Sequence, residues 1–251
     1  MLDVLIALIP ALAVAVFTFG VRVWSVTAVS VGACVLFEWL CRLLVRRPSS
    51  VGDLSAVVTG VLLAFCLPVG VPLWMPAAGA AFAVVLVKQL YGGRGRNLFN
   101  PALAAYGFLM ISWPGRMAAF SEPHTALPAG NALAEPAAFL ESGFYGIWLG
   151  QHAGGLGETC ALALCAGGAY LLARRVIAWR IPAAFAGTTV LLALIFPQDG
   201  LSGALYSLAA LNAGGLLLCA LFMATDPETA PVTPMGQLLY GCGCGVLTVL
   251  I

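Results

Sequence analysis

Nine mostly apolar stretches follow one another along this chain, near residues 3–20, 22–41, 53–67, 71–91, 101–119, 158–173, 181–197, 203–223 and 236–251. A helix needs about 20 such residues to cross a bilayer. Inside lipid, irregular polar backbone survives only when buried in protein or lining a cavity. The chain is therefore expected to be an all-α integral membrane protein, a single multi-pass membrane domain over residues 1–251. Composition agrees, at 62% hydrophobic and 8% charged. A soluble domain carries about 25% charged residues, so this chain cannot clothe itself for water. The net charge of +1 implies no nucleic-acid partner. The first run is long, lacks a small-residue cleavage site and is followed by further spans, so it reads as a helix and not as a signal peptide.

Charge sets a direction. Lys and Arg concentrate in cytoplasmic loops. With the N-terminus inside, Arg42, Arg46, Arg47, Lys88, Arg94, Arg96, Arg174, Arg175 and Arg180 fall inside, and only Arg22 and Arg116 fall outside. That bias predicts an N-terminus in the cytoplasm and an outer loop over about 113–156. The outer loop holds several aromatic residues, from Trp113 to Trp148, which favour the membrane interface. One short surface helix is expected there.

Two polar breaks interrupt the apolar sequence. The first is YGGRGRNLFNP at 91–101. A phosphate loop would need Gly-Lys-Ser/Thr four residues after its first glycine. Here Arg94 follows Gly93 and no such pair comes after. A dinucleotide fingerprint would need a third glycine and a preceding strand. Both are missing, which excludes a soluble-type nucleotide site. What remains is a broken-helix corner. Gly92, Gly93 and Gly95 permit positive φ, Asn97 and Asn100 can donate and accept, and Pro101 suits a first helical turn. The second break, ATDPETAPVTPMG at 224–236, is rich in prolines that cannot continue a helix. Asn97, Asn100, Asp226 and Thr229 are expected to form a polar lining near the centre of the bundle, shaping either an ion path or a noncovalent flavin site.

The eight cysteines lie mostly inside apolar runs, without a C-x-x-C pair. GCGCG at 241–245 lacks the spacing of a zinc or iron–sulfur site. It reads instead as small residues that let helices approach closely, and no metal ligand is assigned. His124 and His152 stand alone. No catalytic nucleophile, base or triad is identified.

Two segments echo each other. GDLSAVV at 52–58 and GETCALA at 157–163 each open an apolar run with glycine, an acid, a small residue and alanine. The predicted topology puts one entrance inside and the other outside, the pattern of an inverted repeat in transporters. Asp53 and Glu158 would then cap helices, where a carboxylate meets the helix dipole, or serve an ion or cofactor. Glu38 stands one turn before Arg42, in reach of an ion pair. An ionisable group at membrane depth is a functional candidate by default.

At these motifs the chain resembles a known family. GDLSAVVTGVLLAFCLP, KQLYGGRGRNLFNPA, GGLGETCALALCAGG, WRIP and FMATDPETAPVTPMGQLLYG, in this order from about residue 50 to the end, are similar to successive motifs of the RnfD and NqrB family. Its members are membrane flavoprotein subunits of ion-pumping redox complexes. The short sequence before the first apolar run is closer to RnfD. The resemblance implies a urea-transporter-like inverted repeat of about ten helices, against nine runs read here, so the last family helix is expected to be missing. It implies an FMN esterified to a threonine of the outer loop. The matching stretch is AFSEPHT at 119–125, and Thr125 is the only threonine of the outer loop. A second, noncovalent flavin is also implied.

The implied function is that of a membrane flavoprotein subunit of an Rnf-type oxidoreductase, linked to ferredoxin and NAD. It would pass electrons through flavin coupled to Na⁺ or H⁺ transport, with other membrane subunits as partners, in a bacterial inner membrane. The alternatives are an NqrB-like subunit of a sodium-pumping NADH:quinone reductase, and a flavin-free channel or scaffold. Flavin separates the redox reading from the last two.

Overall fold

A computed structural model describes residues 1–46, 51–93, 95–121, 128–129, 148–149, 154–197, 202–212 and 215–250. Its helices are α1 (Leu2–Phe19), α2 (Arg22–Leu44), α3 (Ser55–Cys66), α4 (Trp74–Gln89), α5 (Pro101–Ser112), the short α6 (Pro114–Met117), α7 (Ala161–Ala173), α8 (Arg180–Ile195), α9 (Gly203–Asn212), α10 (Leu216–Met223) and α11 (Pro234–Leu250). Each of the nine apolar runs contains helix, as expected. Among the described residues only α1 and α2 are individually long and apolar enough to cross a bilayer, and α9 with α10 would make a third span bent by 60°. Some of the others stop short of the end of their apolar runs where proline follows. Pro68 follows α3, for instance, and Trp113-Pro114 closes α5.

Among the described residues there is one small departure from helix. Phe120–Ser121 pairs antiparallel with Pro128–Ala129, just after α6. The four-residue α6 opens this segment, and most of residues 113–156, where a short helix is expected, lies outside the described residues.

Helices approach closely where glycine removes a side chain. Gly60 of α3 lies against the backbone of α2. A Cβ there would come within 2.6 Å of Val31 Cα, and Ser30 Oγ donates to Gly60 O across the same contact at 2.7 Å. Gly241 and Gly245 put the face of α11 on the α8 backbone at Ile181 and Phe185. The GCGCG stretch thus works as a small-residue packing face, as the sequence suggested. The main apolar core gathers around Leu63, Phe65, Met75 and Leu109, all fully buried.

The two echoed segments stand at opposite ends of α3. Asp53 Oδ1 accepts from Ser55 N at 2.8 Å and from Ser55 Oγ at 2.6 Å, where α3 begins. At the other end, Leu156 N donates to Leu67 O and Gly157 N to Phe65 O. Glu158 accepts from Gly155 N at 3.3 Å beside that junction. Asp53 thus bonds the first residue of α3, whereas Glu158 bonds a loop amide ahead of α7; neither is the N-cap of its helix, those positions being Leu54 and Cys160.

Candidate functional site

The two polar breaks meet. Each follows a π-helical stretch, Phe82–Gln89 at the end of α4 and Cys219–Met223 at the end of α10. Such wide turns are rare and recur at functional sites. The first break then turns through three glycines with positive φ, at 108° for Gly92, 94° for Gly93 and 78° for Gly95. At Gly93 a Cβ would meet only the movable tip of Arg42, so it is the positive φ that requires glycine there. These are the conformations the sequence required of its glycines.

Asn97 and Asn100 cross-link the breaks. Asn100 is the N-cap of α5, its Oδ1 accepting from Ala102 N at 3.0 Å and Leu103 N at 3.4 Å, with Pro101 opening the helix. Its Nδ2 donates to Met223 O at 3.3 Å and toward Asp226 Oδ2 at 3.5 Å. Asn97 Nδ2 donates to Glu228 Oε2 at 3.0 Å. That bond to a carboxylate fixes which end of the amide is nitrogen. Asn97 Oδ1 is left buried without a hydrogen-bond donor among the described residues.

A cavity of about 100 Å³ opens between these groups. Asn97, Asn100, Asp226 and Glu228 supply polar wall from the breaks, and Ser55, Thr59, Lys88 and Thr225 from the helices. Val4, Leu62 and Phe222 are among the side chains that close the apolar side. Ligand pockets for organic molecules run to about 300–1,000 Å³. This space is enough for a few waters or one partly hydrated ion.

Three of the residues singled out from sequence, Asn97, Asn100 and Asp226, share one wall system. Thr229 belongs to the same turn, its N–H donating to Asp226 O at 3.1 Å, but it does not line the cavity. Its hydroxyl is buried without a partner among the described residues. Thr125 lies outside the described residues.

Sequence reasoning missed the ion pair behind the cavity. Helical spacing pointed Glu38 toward Arg42. The structure brings it the ammonium of Lys88, fifty positions on, at 3.0 Å, with the two side chains 1% and 0% exposed. Lys88 also donates to Ser55 Oγ at 2.5 Å, and Gln89 Nε2 reaches Glu38 Oε1 at 3.4 Å. The available signal was an acid and a base both embedded in apolar runs, since neither survives at depth alone.

Comparisons with known proteins match the whole length. The model of the NQR2, RnfD, RnfE family matches residues 1–251. A subunit of the Na(+)-translocating ferredoxin:NAD(+) oxidoreductase complex of Acetobacterium woodii is 42% identical over 260 residues, covering 100% of this chain and 79% of that protein. The corresponding subunit of the proton-translocating ferredoxin:NAD(+) oxidoreductase complex of Clostridium ljungdahlii is 35% identical, over 100% of this chain and 80% of its own. That of an ion-translocating oxidoreductase complex of Stutzerimonas stutzeri is 36% identical over 100% and 81%.

Proposed function

This chain belongs to the NQR2, RnfD, RnfE family, and from that premise we propose that it is the RnfD subunit of an Rnf-type complex. Such a complex is a redox-driven ion pump of the bacterial inner membrane, which moves electrons between ferredoxin and NAD. The relatives named above support this reading at full coverage of the chain. The subunit works with the other membrane subunits of the complex, with its N-terminus in the cytoplasm. Its redox contribution is an FMN esterified to Thr125 in the outer loop. The support for that ester is the place of AFSEPHT, residues 119–125, where the family carries its flavin-bearing threonine, and that Thr125 is the only threonine in residues 113–156. Bound there, the flavin would supply one- and two-electron chemistry, while the protein supplies position and electrostatics.

The ion side of the function is carried by one observation, the cavity between the cross-linked breaks. Its wall offers a carboxamide oxygen without a donor at Asn97, and carboxylates at Asp226 and Glu228. Hard oxygen ligands suit a small cation. Residues at broken-helix ends near the centre of a bundle are where transporters hold their coupling ions. We read the cavity as a way-station for Na⁺, entered from the side that carries most of the Lys and Arg. One relative is named for sodium and another for protons. The choice between them therefore lies in side chains and not in the fold.

The test uses the whole complex in proteoliposomes, with ferredoxin-dependent NAD reduction followed against Na⁺ concentration. Asp226→Asn is expected to raise half-saturating Na⁺ at least about tenfold, the loss of one charge-assisted contact. An unshifted titration would overturn the cavity as an ion site, and wild-type activity indifferent to Na⁺ would overturn sodium as the ion.

A further inference from the structure

Lys88 is placed in a way that closing the bundle does not explain. Its ammonium joins three elements at one point, Glu38 of α2, Ser55 of α3 and its own π-helical stretch of α4. A buried ion pair is an expensive lock, because apolar residues of the same shape often hold a core as well or better. Lys88 lines the cavity while Glu38 does not. Ser55, which accepts the ammonium's hydrogen bond, lines it too, so the positive end of the pair is the one nearer the space shared with Asp226 and Glu228.

We propose that Lys88 is the charge-selecting residue of this cavity, a tethered ammonium that keeps an entering monovalent cation on the Asn97–Asp226 side and weakly enough held to leave. The physical requirement is general to ion pathways. A site must attract its ion strongly enough to fill, yet release it on every cycle. A cavity walled by carboxylates and by an amide oxygen without a donor among the described residues would bind a cation too tightly. A fixed positive charge in the wall lowers that affinity and disfavours a divalent ion more than a monovalent one, since the repulsion scales with the charge of the visitor. The charged groups around Lys88 are Glu38 from α2, Asp53 through the Ser55 hydroxyl, and Asp226 and Glu228 from the second break.

This inference rests on the cavity being an ion site, and the experiment separates the two. Three changes are made in the intact complex in proteoliposomes, with NAD reduction titrated against Na⁺. The neutral pair Glu38→Gln with Lys88→Met keeps the shapes and removes both charges. The swapped pair Glu38→Lys with Lys88→Glu keeps an ion pair and turns its negative end to the cavity. Asp226→Asn reports on the cavity itself. The neutral pair is expected to lower half-saturating Na⁺ about fivefold and to slow maximal turnover, as release becomes limiting. The swapped pair is expected to lower it further and to make Ca²⁺ an inhibitor, which it is not for the native complex. If Asp226→Asn shifts the titration and both pair variants titrate like the native complex, Lys88 is a lock and the inference falls alone. If Asp226→Asn shifts nothing, the ion-site reading falls with it. Failure of both pair variants to assemble would show that the native polarity serves folding, and would equally overturn a selecting role.

Discussion

Asn100 shows how one side chain can join local structure to the site. Its oxygen caps α5 and its nitrogen crosses to the other break. Asn100→Ala removes the cap, worth about 1 kcal/mol. It also leaves the Met223 carbonyl without that donor, for a further cost of about 1–3 kcal/mol. The solubilised complex is expected to lose this subunit at a lower temperature, read by size-exclusion after a heat step. Asn100→Ser, which restores only the cap, should recover part of the loss, and full recovery would mean that the cross-link contributes nothing. Thr125→Ala is a second single-residue test. On a denaturing gel of protein made with its flavin transferase, the native chain should show a fluorescent band under ultraviolet light that the variant lacks. A band of equal strength in the variant would remove Thr125 as the attachment point. Asn97, Asn100 and Asp226 were legible in the sequence because polar groups are conspicuous among apolar ones and helix breakers marked their turns. Lys88, Ser55 and Glu38 were not. Lysine in such a chain is first a topology marker, serine passes as a small residue, and partners fifty positions apart leave no local periodicity.

Among the helices, positions were legible and lengths were not. Apolar runs report where lipid or core will be, but a helix stops at its proline or at a carbonyl that finds another donor. α3 ends after twelve residues, and the carbonyls of Phe65 and Leu67 at that end bond to Gly157 and Leu156. The π-helical stretches were invisible, since one inserted residue per turn has no compositional signature. The contact of α2 with α3 gives the sharpest test. Gly60→Ala would drive a Cβ to 2.6 Å from Val31 Cα and 3.1 Å from Ser30 O, both backbone atoms that cannot swing aside. Overpacking of this kind costs about 1–3 kcal/mol. It should reduce the yield of folded subunit in the membrane and separate the wall that carries Glu38 from the one that carries Ser55. Gly32→Ala, on α2, meets nothing within 4 Å. Its yield should stay at the native level, with a stability change within about 0.5 kcal/mol. Equal yields from the two variants would contradict the close α2–α3 approach.

For the bundle as a whole, sidedness decides where an ion can enter. The cavity gathers residues from five places along the chain, near 1–4, 55–62, 88–101, 171–177 and 222–228. Contacts of the same end carry most of the cations. Arg42 lies over Gly93, Arg174 reaches Asp3 at 3.3 Å, and Arg180 meets Gln237 at 3.5 Å. Arg22, at the other end of α2, donates to Val69 O at 2.8 Å and Val71 O at 3.1 Å. The polar end and the cation-rich end of the bundle are thus the same end, which the linear sequence could only suggest through counts of loop charge. Cations prefer the cytoplasmic face, so the cavity mouth should open to the cytoplasm and α6 should face outward. In a background with the eight cysteines replaced by alanine, Arg96→Cys and Arg116→Cys place one thiol at each end on an exposed position. A membrane-impermeant maleimide added to cells with a permeabilised outer membrane should label the cysteine at 116 at once. It should label the one at 96 only after the inner membrane is opened. The reverse order would invert the orientation. It would also move the entrance of the ion path to the outer face, so that the cavity became an exit for the cation instead of its point of uptake.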